Sequence, residues 1–254
     1  MVFPANNMIF FYSLAQYAPG GGGTFMGMPM SYILLLAISG AASWFVGHML
    51  KKRFAEFSQI PVGPSGAEVA RQMLRDAGIR DVEIISTPGQ LTDHYNPADK
   101  TVNLSEAVYA ERNVAAAAVA AHECGHAIQH AKAYAPLQMR SALVPMVSIA
   151  SRFTQILLIA GIVLMSLSGN TFVMWLAVAT MAAATLFSVV TLPVEFDASR
   201  RALAWIKDSG IGQQMEYDRA KTALFWAAMT YVVAALAAIG QLLYYVMMLL
   251  NRRD

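Results

Sequence analysis

Charged residues are scarce in this sequence, and they are absent from its first part. Only 13% of the 254 residues are charged and 57% are apolar, whereas roughly a quarter of the residues in soluble globular proteins are charged. Residues 1–50 contain no Asp, Glu, Lys or Arg. This distribution disfavours a soluble globular protein and predicts one that lies in a lipid bilayer.

Cysteine and clusters of basic residues are also nearly missing. The single cysteine, Cys124, excludes an internal disulfide framework and fits a reducing compartment. The formal net charge is only +2, and no stripe of Arg and Lys is interleaved with aromatic residues. We therefore expect no nucleic-acid partner. The sequence also lacks an internal repeat of the kind that builds a solenoid.

Four apolar stretches are long enough to cross a bilayer, which requires about 20 residues. The first stops at the basic run KKR (51–53), and only the turn-forming residues SGN (168–170) separate the second from the third, which predicts a helical hairpin. Residues 1–30 contain a glycine run, lack the basic start of a signal peptide and are predicted to be a flexible or interfacial leader. The predicted transmembrane helices are residues 31–50, 143–168, 171–192 and 222–250.

Lys and Arg are concentrated in two segments that lie between the predicted spans. Of the 18 Lys and Arg residues, ten lie in residues 51–140 and five in residues 200–221. The positive-inside rule then places both segments in the cytoplasm and both chain ends outside. Residues 51–142 are accordingly predicted to form a cytoplasmic domain, and residues 193–221 a second cytoplasmic segment.

The predicted domain at residues 51–142 combines helices with a small sheet. Ser65 and Glu68 have the capping-box spacing that begins a helix. The segments DVEIIST (81–87) and TVNL (101–104) have the composition of strands, and DHYNP (93–97) between them has the composition of a turn. Residues 113–131 are rich in Ala and predict a continuous helix.

This Ala-rich helix carries the motif His122-Glu123-Cys124-Gly125-His126. Histidines four residues apart on a helix lie about 40° apart around its axis, so both rings can bind one metal ion, for which zinc is the usual choice. Glu123 is rotated about 100° from His122, where its carboxylate can take a proton from a zinc-bound water. Cys124 lies on the opposite face and is expected to be a small buried residue. The motif predicts peptide-bond hydrolysis, and the expected fold is an α-helical membrane protein with four transmembrane helices and a small α+β, zincin-like cytoplasmic domain.

The third metal ligand has to come from outside this helix. Glu195, just past the third predicted span, is the first choice. Asp197 is either the ligand instead or an acid that orients a zinc-binding histidine. In a third interpretation, both acids only pair with Arg200 and Arg201 at the membrane surface. The spacing leaves these alternatives open.

Five segments, taken in order, resemble the YugP-like family of membrane-anchored neutral zinc metallopeptidases. The segments are SGAEVARQML, DHYNP with KTVNLSE, VAAHECGHAIQHA, PLQMRSALVP and LPVEFDASRRAL. The resemblance implies a zinc peptidase of the bacterial inner membrane, with His122 and His126 as ligands and Glu123 as the catalytic residue. It also favours Glu195 as the third ligand, by likeness to gluzincin proteases. HtpX-type membrane proteases typically have an Asp four residues after that Glu, where this sequence has Ser199.

Residues that face the substrate are expected on the segment that precedes the catalytic helix. His94 and Tyr95 are predicted to polarise the scissile carbonyl or stabilise the oxyanion, because zinc proteases commonly supply such a donor opposite the base. Residues 101–104 are predicted to be an edge strand to which an extended substrate adds. The expected partners are a peptide or membrane-protein substrate and the lipid bilayer.

The alternative function is a catalytically inactive membrane scaffold or adaptor that retains a zinc site. Structural zinc sites normally have four protein ligands, commonly several of them Cys, and this chain has only Cys124. That count favours the enzyme. Ala-rich faces at residues 177–184 and 234–238 permit close helix packing within one chain or in a homo- or hetero-oligomer.

Overall fold

The computed structural model describes residues 24–25, 28–211 and 214–251. Residues 1–23 of the predicted leader lie outside the described residues, and β1 and β2, near its end, pair antiparallel. In chain order, the described elements are β1 (Thr24–Phe25), β2 (Met28–Pro29), α1 (Met30–Phe57), α2 (Gly66–Asp76), β3 (Glu83–Thr87), β4 (His94–Asn96), β5 (Thr101–Ser105), α3 (Glu106–Ala110), α4 (Val114–Ala131), α5 (Ala135–Ser168), α6 (Phe172–Ser209) and α7 (Gln214–Leu250).

Four helices, α1, α5, α6 and α7, are long and apolar enough to cross a membrane, as the sequence predicted. Each extends beyond its predicted span. The first continues through the basic run at 51–53 to Phe57, the second begins at Ala135, the third continues past Pro193 to Ser209, and the fourth begins at Gln214. The difference arises because an apolar stretch marks only the part of a helix that fits the hydrocarbon, whereas helix propensity continues into the polar flanks.

The predicted hairpin between the second and third spans is present. Helix α5 ends at Ser168 and α6 begins at Phe172. Gly169 has a φ of 72°, a left-handed conformation that glycine adopts without steric cost. The side-chain oxygen of Asn170 accepts a hydrogen bond from the Phe172 N–H at 2.8 Å. The turn residues therefore end one helix and cap the next.

The chain divides into two compact units, one of which contains residues 140–189 and 233–251 together with the described residues before Phe45. Its core is apolar side chains of the long helices. The hydroxyls of Tyr32 and Tyr245 lie 3.2 Å apart. At Gly161, an added Cβ would lie 2.9 Å from the Cα of Met174, so α5 and α6 approach closely there. Small residues commonly allow such approaches between membrane helices.

The other unit contains residues 45–139 and the described residues of 190–232, and it holds a three-stranded sheet with the order β3-β5-β4. The first two of these neighbours are parallel, with Ile84 opposite Val102, and the last two are antiparallel, with Tyr95 opposite Val102. Two details of the sequence prediction are wrong here. The segment 93–97, predicted as a turn, contains strand β4, and residues 101–104, predicted as an edge strand, lie in the central strand.

The reason for both differences is a set of contacts that turn composition does not reveal. Asp93 accepts a hydrogen bond from the Ser105 N–H at 2.7 Å and thereby ties the start of β4 to the end of β5. Asn96 accepts one from the Ala98 N–H at 3.0 Å, so the turn comes after β4. Val102 and Leu104 are fully buried, as expected for a strand with neighbours on both sides.

Helix α2 forms where the capping box predicted it and packs on α4. The Ser65 hydroxyl accepts a hydrogen bond from the Glu68 N–H, and the Glu68 carboxylate accepts one from the Ser65 N–H. The same carboxylate forms an ion pair with Arg112 at 3.0 Å. The backbone bond from Ser65, and then Arg112, lower the pKa of Glu68. Val69 and Met73 are buried in the core shared by the sheet and the two helices.

Candidate metal centre

Helix α4 begins at a side-chain cap and carries the His-Glu-Cys-Gly-His motif in its second half. The Asn113 side chain accepts a hydrogen bond from the Ala116 N–H at 2.9 Å. The alanines that follow are almost all buried, so α4 can lie close to its neighbours on several sides. Glu123 and His126 are each 8% exposed. The motif therefore lies just below the surface of this unit.

Helix α6 packs directly against the motif. At Gly125, an added Cβ would lie 2.6 Å from the Ala198 carbonyl oxygen and 3.0 Å from the Ala198 Cα. Glycine is therefore required by the close approach of the two helices, and this explains a residue that costs about 1 kcal/mol relative to Ala in a helix. The buried residues of α6 that face this side include Glu195, Ala198 and Ser199.

The structure brings together His122, His126 and Glu195. The ligand atoms of the three lie within 4.8 Å of one another. Glu195 is only 2% exposed, and its Oε2 lies 3.3 Å from the Nε2 of His122 and 3.6 Å from the Nε2 of His126. The two imidazole rings meet edge to face, with centroids 4.8 Å apart.

The two distances from Glu195 are compatible with the binding of one zinc ion. Zinc–nitrogen and zinc–oxygen bonds of about 2.0–2.2 Å in a tetrahedron put neighbouring ligand atoms about 3.4 Å apart. Separations of 3.3 and 3.6 Å match that value and exceed the usual hydrogen-bond range of about 2.7–3.2 Å. Three protein ligands would leave one position on a bound zinc for water or substrate, as in catalytic zinc sites.

The other ring nitrogens of the two histidines point to hydrogen-bond partners. The Nδ1 of His122 lies 3.1 Å from the Ser199 hydroxyl. The Nδ1 of His126 lies 3.0 Å from the Oε1 of Gln129, whose amide nitrogen donates to Asp197 at 2.9 Å. Such partners orient metal-binding histidines.

Asp197 lies outside the cluster of three and contacts it through Gln129. It accepts hydrogen bonds from Arg200 and, at 2.6 Å, from Arg201. Asp197 therefore pairs with the two arginines and reaches His126 through Gln129, whereas Glu195 faces the histidines directly.

Glu123 is positioned by the backbone of the sheet. Its Oε2 accepts a hydrogen bond from the Tyr95 N–H at 2.9 Å. Successive amides of a strand point to opposite edges, so this N–H faces away from β5. The carboxylate predicted to be the catalytic base is thus held at the outer edge of strand β4.

The side chains of the two other predicted catalytic residues make contacts of their own. His94 is exposed, and its Nδ1 lies 2.7 Å from the Thr92 carbonyl oxygen. The Tyr95 hydroxyl lies 2.7 Å from the Nδ1 of His130, near the end of α4. Burial, and then the charge of Asp81, raise the pKa of Tyr95, so its hydroxyl stays protonated at neutral pH. The contact of Tyr95 with Glu123 is made by its backbone.

Cys124 lies on the far side of α4, as the helical geometry predicted. It is fully buried, and its sulfur lies 3.6 Å from the Ala70 carbonyl oxygen on α2. Burial raises the pKa of the thiol, and the neighbouring charge of Glu123 adds to this effect. A protonated, buried thiol is a poor zinc ligand, so Cys124 packs between helices.

Sequence reasoning missed Gln129 and Ser199 as partners of the histidines. A signal for each was present. Gln129 follows His126 by three residues and Ser199 follows Glu195 by four, and these spacings put each on the same helical face as a ligand. The contact from the Tyr95 backbone had no such signal, because any residue has an N–H.

These features define a class of protein: a helical protein with four candidate membrane spans and a His-His-Glu cluster, of which both histidines lie in a His-Glu-x-x-His motif. The profile of a family described as "Putative neutral zinc metallopeptidase" matches residues 32–250. The chain belongs to this family, as the motifs predicted. It is 38% identical over 227 residues to a protein of Bacillus subtilis (strain 168) named "Putative membrane protease YugP", a match that covers 89% of this chain and 99% of that protein. No solved structure matches the chain.

Proposed function

We propose that this protein is a membrane-embedded zinc metalloendopeptidase that hydrolyses peptide bonds near the cytoplasmic surface of the bacterial inner membrane. The observation that carries the proposal is the cluster of His122, His126 and Glu195 on the helix pair α4 and α6, in which His126 and Glu195 are buried. Glu123 follows His122 in the sequence and is not one of the three members of this cluster. Membership of the zinc metallopeptidase family supports the same activity.

In the proposed site, the Nε2 atoms of His122 and His126 and the carboxylate of Glu195 would hold the zinc ion. The two Nδ1 atoms face Ser199 and Gln129, so the Nε2 atoms are the ones turned toward Glu195. Zinc supplies Lewis acidity when bound, since it lowers the pKa of water toward neutrality and polarises a carbonyl group.

Glu123 is the proposed general base and acid. Its carboxylate takes a proton from the attacking water and later delivers it to the leaving amine. The hydrogen bond from the Tyr95 N–H holds one carboxylate oxygen, and the 8% exposure of Glu123 keeps competing bulk water away. The second oxygen is the one that handles the proton.

The substrate is proposed to bind along strand β4. This strand is the edge of the sheet on the side of α4, and an extended peptide can pair with such an edge through its backbone. The Tyr95 N–H at this edge already contacts Glu123. His94, exposed on the same strand, is the proposed donor to the oxyanion, and the Tyr95 hydroxyl is the alternative donor.

The proposed location of the site is the membrane surface on the cytoplasmic side. Glu195 follows the last residue of the third predicted span by three positions in an unbroken helix, which corresponds to about 4.5 Å along the axis. The excess of Lys and Arg in residues 51–140 supports the cytoplasmic orientation of this zincin-like domain. The substrates proposed for such a site are membrane proteins and peptides cut close to their spans.

The decisive test compares Glu123→Gln with the wild type. Purified wild-type protein is expected to bind about one zinc ion per chain, and the Gln variant to retain that zinc, because Glu123 is not a ligand. His122→Ala is expected to lose the zinc. Membrane peptides that carry new ends are expected in cells with the wild type and to be absent from cells with Glu123→Gln. Equal sets of cleaved peptides in the two strains would refute the assignment.

A further inference from the structure

Gln129 is a fully buried amide that joins the metal cluster to an ion-pair group. Its amide nitrogen donates two hydrogen bonds, to the Val194 carbonyl oxygen at 2.8 Å and to the Asp197 carboxylate at 2.9 Å. Its Oε1 lies 3.0 Å from the Nδ1 of His126. Gln129 is 0% exposed, so its hydrogen-bonding atoms are shielded from solvent, and partners lost inside the protein cannot be replaced by bulk water.

The two partners of the amide nitrogen fix which way the amide faces. A carbonyl oxygen can only accept a hydrogen bond, and so can the Asp197 carboxylate, which is ion-paired with Arg200 and Arg201. The NH₂ end of Gln129 must therefore face α6. A rotated amide would put its oxygen against two acceptors in a buried place, which is strongly unfavourable.

The direction of the amide fixes the tautomer of His126 in turn. With its oxygen toward His126, Gln129 can only accept, so the Nδ1 of His126 must carry the proton. The neutral ring then presents a lone pair on Nε2. That atom lies 3.6 Å from the Glu195 carboxylate oxygen, so a metal ion between the two atoms would be bound by both.

His122 is not constrained in this way. Its Nδ1 lies 3.1 Å from the Ser199 hydroxyl, which can either donate or accept. The two histidines of the motif thus differ. His126 faces an amide oxygen that can only accept a hydrogen bond, whereas His122 faces a hydroxyl that can donate or accept.

We propose that Gln129 is a positioning residue that holds His126 in the Nδ1–H tautomer and so prepares its Nε2 for the metal, with Asp197 acting on the site only through Gln129. The inference rests on the proposed function, since it takes His126 as a zinc ligand. In this proposal, Asp197 affects the metal site by holding the amide of Gln129.

The first measurement concerns the metal-free protein. Nitrogen NMR of the ¹⁵N-histidine-labelled full chain, with His126→Gln to assign its signals, is expected to show the wild-type His126 ring with the proton on Nδ1. In Gln129→Leu, the ring is expected to change to a mixture of the two tautomers. Gln129→Met, which keeps the unbranched length, serves as a second variant if the Leu variant does not fold. An unchanged Nδ1–H signal in the folded variant would overturn the proposal.

The second measurement is zinc affinity by competition with a chelator. Gln129→Leu is expected to bind zinc about 10- to 100-fold more weakly, the usual effect of removing a partner of a metal ligand. Asp197→Asn is expected to lose no more than about 3-fold, because the Val194 carbonyl still directs the amide. The double variant is expected to match Gln129→Leu alone. Losses that multiply in the double variant would mean that Asp197 acts on the metal independently and would contradict the proposal.

Controls separate this inference from the proposed function. Gln138→Leu makes the same substitution at an exposed position of α5 and is expected to leave zinc affinity unchanged. Ser199→Ala is expected to have a smaller effect than Gln129→Leu. If the wild type binds no zinc, or if His122→Ala retains it, the proposed function fails. If both behave as expected and Gln129→Leu binds zinc like the wild type, only the role of Gln129 fails.

Discussion

Glu195 is the residue on which the metal assignment depends most. It is 2% exposed, and its carboxylate faces the Nε2 atoms of both histidines. Burial of an isolated carboxylate is strongly unfavourable. The two imidazoles that face this carboxylate are neutral when they bind a metal, so a divalent cation held beside them would stabilise a buried acid at this position.

Replacing Glu195 is therefore expected to remove the metal. In Glu195→Ala, zinc affinity should fall by at least about 10-fold, a lower bound taken from the smaller losses seen when a partner of a ligand is removed. Glu216→Ala, which removes an acid in the first turn of α7, serves as the matched control and should bind zinc like the wild type. Metal titration of the two purified variants measures both. Full retention of zinc in Glu195→Ala, with loss in Glu216→Ala, would contradict the ligand assignment.

Helix α4 carries its chemistry only because α6 can approach it at Gly125. The ideal Cβ of an alanine there would lie 2.6 Å from the Ala198 carbonyl oxygen, which is backbone and cannot move aside alone. In an isolated helix, the same substitution stabilises by about 1 kcal/mol. Overpacking of a well-packed interior costs about 1–3 kcal/mol, so we expect the packing cost to exceed the gain.

Gly125→Ala is accordingly expected to destabilise the protein by up to about 2 kcal/mol, the difference of these terms, and to weaken zinc binding because Glu195 is displaced from the histidines. Thermal unfolding and zinc titration measure the two effects. Gly47→Ala is the matched control, since nothing lies within 4 Å of a Cβ at this position of α1. It should be neutral or stabilising. If Gly125→Ala and Gly47→Ala have the same effects, the close approach of α4 and α6 does not require glycine at position 125.

Strand β4 contributes to the site through its backbone, and this can be tested with proline. Tyr95→Pro removes the N–H that donates to Glu123. An edge strand tolerates proline where the N–H faces outward. Peptidase activity should fall by about 10-fold or more, because a misoriented general base loses much of a contribution that is typically 10²–10⁴-fold.

Tyr95→Phe is the control for the tyrosine side chain. It retains the N–H and removes only the hydroxyl that contacts His130, so activity should remain within about 3-fold of the wild type if the backbone carries the effect. The opposite result, with Tyr95→Phe inactive and Tyr95→Pro active, would assign the function to the hydroxyl as a donor to the oxyanion. Cleavage of the membrane peptides identified for the wild type measures both variants.

For the whole molecule, the orientation in the membrane decides which substrates can reach the site. In a Cys124→Ala background, a cysteine introduced at Asn170 should react with a membrane-impermeant thiol reagent added outside intact cells, and one at Asp99 should not. Both positions are exposed, so burial does not explain a difference. In permeabilised cells, both should react. The reverse pattern in intact cells would place the zinc site outside and exclude cytoplasmic substrates.

The features that the sequence predicted are those set by local patterns. Four apolar stretches of bilayer length, a capping box at Ser65, and two histidines four residues apart on an Ala-rich helix depend on neighbours along the chain. Helix geometry alone also put Cys124 on the face away from the histidines. The family followed from the same short motifs.

Only the tertiary structure decided how distant segments meet. Glu195 faces a histidine 73 residues earlier in the chain, and Gln129 donates to an acid 68 residues later. The sequence left Glu195 and Asp197 as alternatives, because both residues are acidic and both lie at nearly the same distance along the chain from the histidines. On α6, they are rotated by about 200° from each other, so just one of them can face the histidines. The order of the strands was likewise undetermined by their composition, because a strand is central or at the edge only through the partners that the fold brings beside it.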